Sequence, residues 1–137
     1  MRIPASLWCS SPCPTPTPRP RFAVGTSEGL YIVERDQTDW ITKRIPAPGD
    51  VSGGRRVSGG RHGGSSHTSV TGVEWLSSEV VVCGLKDSAI FLHDVRSRGS
   101  ASRLQHTHSV GKIRKVDPYR LVVSGQRSVR INFWIWV

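Results

Sequence analysis

VTGVEWLSSEVVVCGLKDSAIFLHDVRS, residues 70–97, is the stretch that decides the fold. Val80-Val81-Val82-Cys83-Gly84 is a continuous apolar run, the pattern of a strand buried on both faces. Leu85-Lys86-Asp87-Ser88 is turn chemistry. Ala89-Ile90-Phe91-Leu92 is a second buried run, closed by His93-Asp94. Val70–Trp75 alternates over part of its length, as a half-buried strand does. No part of the chain sustains a 3.6-residue period, so helix is a minor component.

The same pattern returns 40 or 41 residues later. His67-Thr68-Ser69-Val70 lies over Thr107-His108-Ser109-Val110, Val82-Cys83-Gly84 over Val123-Ser124-Gly125, and Ser88-Ala89-Ile90 over Ser128-Val129-Arg130. Upstream, Ala23-Val24-Gly25 also matches Val82-Cys83-Gly84, with a polar turn and an apolar run after it. A unit of about 40–45 residues with four short strands is the mark of a propeller blade. A blade cannot bury both its faces alone, so such units pack face to face around an axis. The chain therefore reads as all-β, a partial β-propeller of about two and a half blades. A small sandwich or a barrel is the alternative for short strands in series.

Working outward, residues 1–20 read as a Pro-rich disordered leader. The prolines from Pro12 onward remove backbone donors and favour extended chain. Residues 21–45 read as a partial blade. Phe22–Gly25 and Leu30–Val33 flank the turn Thr26-Ser27-Glu28-Gly29, where Gly29 is free to take a positive φ, and Asp39–Ile45 is a more polar third strand. Residues 46–68 are rich in Gly and Arg and too poor in apolar side chains to offset the entropy of ordering, so a disordered insertion is expected there. Residues 69–106 read as a complete blade, with its outer strand near Ser102–His106. Residues 107–137 read as a partial blade with an aberrant end, Asn132-Phe133-Trp134-Ile135-Trp136-Val137. Closed propellers have about four to eight blades, so the expectation is a fragment of a larger array.

The net charge of +9 is spread unevenly. In 67–106, Lys86, Arg96, Arg98 and Arg103 balance Glu74, Glu79, Asp87 and Asp94. In 107–137 only Asp117 opposes Lys112, Arg114, Lys115, Arg120, Arg127 and Arg130. A basic balance favours acidic partners, nucleic acid among them, but it also describes a solvated surface with a flexible basic loop. Three cysteines supply no disulfide framework: Cys9 and Cys13 lie in the leader, and Cys83 reads as a small core residue. An intracellular location, nucleus or cytoplasm, is the expectation. No segment approaches the ~20 apolar residues of a membrane-spanning helix, and no membrane partner is expected.

On these residues the chain resembles the WD-repeat family. His67 stands where the family opens a repeat, and His108 does so in the next unit. His93-Asp94 stands at the Trp-Asp dipeptide that ends the third strand, with His in place of Trp. Asp87 matches the common turn Asp, whose carboxylate in that family bonds turn N–H groups and supports the opening His. The resemblance implies a non-catalytic scaffold for protein partners. The wording of residues 70–125 further resembles WD-repeat substrate receptors of cullin-4 ubiquitin ligases. Asp94-Val95-Arg96 resembles their Asp-x-Arg docking motif, which implies Asp94 and Arg96 as protein-binding residues and the ligase adaptor as partner. The plainer reading of Arg96 is a cap on the blade rim.

Other chemistry finds little footing. His106-x-His108 has no Cys or carboxylate placed by sequence to complete a zinc site, and Cys9-x3-Cys13 has no second ligand pair. No Gly-x-Ser-x-Gly elbow frames a serine. The glycine-rich stretch lacks the Gly-Lys-Ser/Thr ending of a phosphate loop. The expectation is therefore no enzyme, no catalytic residue, no metal, no cofactor and no small-molecule substrate. The rival to the scaffold is an RNA-associated protein binding through residues 53–64 with Arg55, Arg56 and Arg61, by charge and guanidinium stacking.

Overall fold

Short apolar runs separated by turn residues fold here as hairpins. The structure is a computed structural model that describes residues 2–14, 18–45, 69–97, 102–105, 108–125 and 132–135. Among these the elements are eleven strands and no helix: β1 (Leu7–Pro12), β2 (Arg21–Thr26), β3 (Gly29–Asp36), β4 (Asp39–Ile45), β5 (Val70–Trp75), β6 (Val80–Leu85), β7 (Ala89–Asp94), β8 (Ser102–Gln105), β9 (Val110–Asp117), β10 (Arg120–Gly125) and β11 (Asn132–Ile135). They form three sheets, ordered β1-β2-β3-β4, β5-β6-β7-β8 and β9-β10-β11. Every neighbouring pair is antiparallel.

The leading strands gather together. β5 lies against β1 on one side and β9 on the other, so each sheet fans outward from its first strand, which is the blade geometry the period calls for. The cores lie between sheets. Ala23, Leu30, Ile32 and Ile45 of the first sheet meet Val73, Trp75, Val81, Cys83 and Phe91 of the second. On the second sheet's other face, Val82 and Ile90 meet Val110, Ile113, Leu121 and Val123 of the third. Buried on both faces, β6 needs its unbroken apolar run; Cys83 is a core residue, as expected.

Two glycines show why the repeat places Gly where it does. A Cβ on Gly84 would lie 2.2 Å from Val110 Cγ1, and one on Gly25 would lie 2.8 Å from Val70 Cγ1 and 2.7 Å from the Val70 carbonyl oxygen. Each Gly is the next-to-last residue of a blade's second strand and receives the valine that opens the next blade. Gly29 takes the positive φ its turn suggested, +129°.

The leader expectation needs correction. Residues 7–12 are not disordered chain but the innermost strand of the first sheet, paired with β2 from Leu7↔Thr26 to Pro12↔Phe22. The first unit is thus a four-stranded blade, not a partial one. Its side chains hid this, because most of them are exposed. What holds β1 is backbone pairing and a buried donor: the Trp75 indole N–H donates to the Ser11 carbonyl at 2.9 Å. Pro12 is tolerated because it ends the strand. The Gly/Arg-rich insertion expected over 46–68 lies outside the described residues. The second unit has its four strands, including an outer β8. The run expected to break the pattern, Asn132–Ile135, pairs with β10 as the third strand of its sheet.

Candidate functional site: the charged rim between the first two sheets

β7 ends at Asp94, and the chain turns at once. The Asp94 carboxylate accepts the Arg96 backbone N–H at 2.9 Å, while Ser97 N–H donates to the Asp94 carbonyl at 3.0 Å. The same carboxylate accepts the Arg96 guanidinium twice, from Nε at 3.0 Å and from Nη2 at 2.7 Å. A two-point fork of this kind fixes the plane of the guanidinium as well as its position. These bonds from Arg96 hold the Asp94 carboxyl down at about 2. The Arg96 side chain nevertheless remains 69% exposed. The structure thus brings together the two residues that the Asp-x-Arg pattern singled out.

The corner belongs to a longer chain of charge. Arg96 Nε lies 3.9 Å from Glu79, which also faces Arg21 at 3.8 Å. Arg21 reaches Glu34 at 3.4 Å and donates to the Ser78 carbonyl at 3.3 Å. Arg19 closes the series on Glu34 at 3.9 Å and Asp36 at 3.5 Å. Sequence reading missed these partners, although a signal existed. Val80 pairs with Asp94 in the second sheet and Arg21 with Glu34 in the first. With the glycines 25 and 84 aligned, Glu34 therefore stands at Asp94's place and Asp36 at Arg96's. The first two sheets thus each carry an acidic residue at this corner, followed two positions on by Asp36 in one and by Arg96 in the other.

Between the two corners lies an open cleft of about 280 Å³, lined on one side by Ile32, Glu34, Ile41 and Lys43 and on the other by Glu79, Val95 and Arg96. His93 precedes Asp94 at the end of β7. It is 3% exposed, and neither ring nitrogen has a hydrogen-bond partner. Burial, and then the nearby Lys43 charge, push its pKa below 6.5, so the ring is neutral at pH 7.

The other singled-out residues are not drawn into this site. The Asp87 carboxylate accepts the Ala89 N–H at 3.1 Å and so braces its own turn. His108 is exposed ahead of β9. His67 and the arginines 55, 56 and 61 lie outside the described residues. Among the described residues, no group of three or more His, Cys, Asp or Glu side chains is placed to hold a metal ion. Among the described residues, no helix is long and apolar enough to cross a membrane.

No family model and no curated protein matches the chain. Solved structures do. The Myceliophteria thermophila Cps50 (Swd1) β-propeller domain superposes with a TM-score of 0.70 at 14% identity, over 92% of this chain and 38% of that one. The chain therefore spans well under half the length of that domain. A computationally designed protein, Ika4, aligns over 98% of this chain with a TM-score of 0.47 and 11% identity, too loose an overlap to bear on the fold. The likeness to Swd1, joined to the sheet order and the stacking of first strands, makes this chain a run of adjacent β-propeller blades.

Proposed function

We propose that the chain is a non-catalytic protein-interaction scaffold of the WD-repeat type that docks through the Asp94–Arg96 corner. One observation carries the reading: a guanidinium mostly exposed on a blade rim, yet held rigid by a two-point bond to its own carboxylate. Pre-ordering a long side chain reduces the entropy lost when a partner binds it, and exposed arginines are favoured anchors at interfaces. The His93-Asp94 dipeptide and the turn carboxylate of Asp87 support the WD-repeat type. The Asp-x-Arg wording supports the cullin-4 ligase adaptor as the partner, with this chain as part of a substrate receptor. An intracellular site of action, nucleus or cytoplasm, belongs to the same proposal, and three free thiols fit it.

The test is capture of purified adaptor by the immobilised full chain. Arg96→Ala should reduce recovery at least about tenfold, the loss of roughly 1.4 kcal/mol or more that a well-placed arginine anchor provides. Equal recovery with wild type and Arg96→Ala would remove the corner from the function.

A further inference from the structure

The outer strand of the first sheet is left open along one side. β4 pairs with β3 over its whole length and with no other strand among the described residues. Its far edge therefore presents unpaired N–H and C=O groups along seven residues, a template for another strand. Asp39–Arg44 are all exposed, and two of them are large and apolar, Trp40 at 39% and Ile41 at 52%. Short outer strands are a common defence against unwanted pairing. β8, the outer strand of the second sheet, has only four residues, whereas β4 lacks that defence. Charge on the two faces of this edge is sorted. Strand alternation puts Trp40, Thr42 and Arg44 on one face, beside their cross-strand partners Arg35, Val33 and Tyr31. Every charged residue in that set is basic. Glu34, Asp36 and Asp39 alternate onto the opposite face, with Ile41 and Lys43. The Trp40 ring is held in place, with the Phe22 ring at 5.8 Å and the Arg35 guanidinium over it at 6.0 Å. Arg44 is braced by two bonds to the Glu28 carbonyl, from Nε at 3.2 Å and Nη2 at 2.9 Å. One aromatic ring and two cations are thus ordered in advance beside an open strand edge, which reduces the entropy lost on binding.

We infer that the free edge of β4 accepts an extended acidic segment of a protein partner, added as a fifth strand of the first sheet. In strand addition the backbone bonds supply the affinity and the alternate side chains set the choice of partner. Here carboxylates at every second position lie beside Arg44 and the Arg35 guanidinium above Trp40. The positions between them lie beside Ile41 and take β-branched apolar side chains. The partner's mark is therefore an alternation of acidic and apolar residues. This surface is separate from the Asp94–Arg96 corner, and neither reading depends on the other.

The test uses the full chain and four probes: a peptide of about eight residues alternating Glu and Val, its Gln counterpart, its fully N-methylated counterpart, and single-stranded oligouridylate. Binding is followed by titration and by amide exchange read residue by residue. The Glu peptide should bind and slow exchange in β4, while the Gln and N-methylated peptides should bind at least about tenfold more weakly. The double change Arg35→Gln with Arg44→Gln should lose the same factor while amide protection in β2 and β3 is kept, and Arg44→Lys should retain most of the affinity. Arg96→Ala should bind the peptide like wild type even where adaptor capture is lost. Equal binding of the N-methylated peptide, or binding that leaves exchange in β4 unchanged, would overturn strand addition. Oligouridylate binding as tightly as the Glu peptide would overturn it in favour of nucleic acid. Protection of β4 that grows with protein concentration, without peptide, would overturn it in favour of a second copy of this chain.

Discussion

At the scale of single residues, two side chains at the end of β7 respond to acid in different ways. Asp94 is held at about 2 against an ordinary 3.8, so whatever its pair with Arg96 adds is complete above about pH 4. It is lost only as the pH falls from there toward 2, and the corner should keep its geometry through mildly acidic solution. His93 acts earlier. Its folded pKa lies below 6.5, so the unfolded chain takes up a proton that the folded chain resists. Stability should therefore fall as the pH drops through 6.5, levelling off below the folded value. His93→Phe should remove that slope from urea midpoints measured between pH 5 and 7, and should raise stability at pH 7 by ~1 kcal/mol as the unmet ring nitrogens disappear. An unchanged slope would mean that another group titrates. The place of His93 in the repeat was legible from the sequence, since His93-Asp94 closes the apolar run Ala89–Leu92. That its ring is buried with neither nitrogen bonded was not legible, because burial there depends on how the first two sheets pack.

Elements in this fold are held by what crosses from one blade to the next. Gly84→Ala drives a methyl group to 2.2 Å from Val110 and should destabilise the chain by about 1–3 kcal/mol. Adding Val110→Ala should recover part of that loss in a double-mutant cycle, because the two changes share one contact. Trp75→Phe keeps most of the ring but removes the indole donor to Ser11. A loss of ~1–2 kcal/mol is expected, with faster amide exchange in β1 than in β6; uniform exchange across both strands would show that β1 is held by other means. These contacts explain what the pattern could and could not reveal. Runs such as Val80–Gly84 advertise themselves because both their faces are buried. Leu7–Pro12 sends most of its side chains to solvent and is recruited by backbone groups, which leave no mark in residue type. A fully buried tryptophan was the one available hint, since its N–H requires an acceptor.

For the whole molecule, the period of 40 or 41 residues was enough to foresee blades, because spacing survives when individual residues drift. The charged cleft was not foreseeable, because Lys43 and Arg96 line it from different sheets. The first strand tests how far stacking matters. Deleting residues 2–14 removes β1 and uncovers the edge of β2 together with one side of Trp75. The shortened chain should melt at least several degrees lower and bind a hydrophobic dye more strongly; equal melting temperatures would make β1 an ornament on the first blade. The bond from Trp75 to Ser11 spans 64 residues, and this gives the molecule a timetable. At about 5–20 residues per second, the strand is made roughly 3–13 s before the tryptophan that secures it. For those seconds Leu7 and Trp8 are exposed apolar surface on a growing chain, so nascent-chain chaperones should engage this segment early and release it once the second blade has emerged.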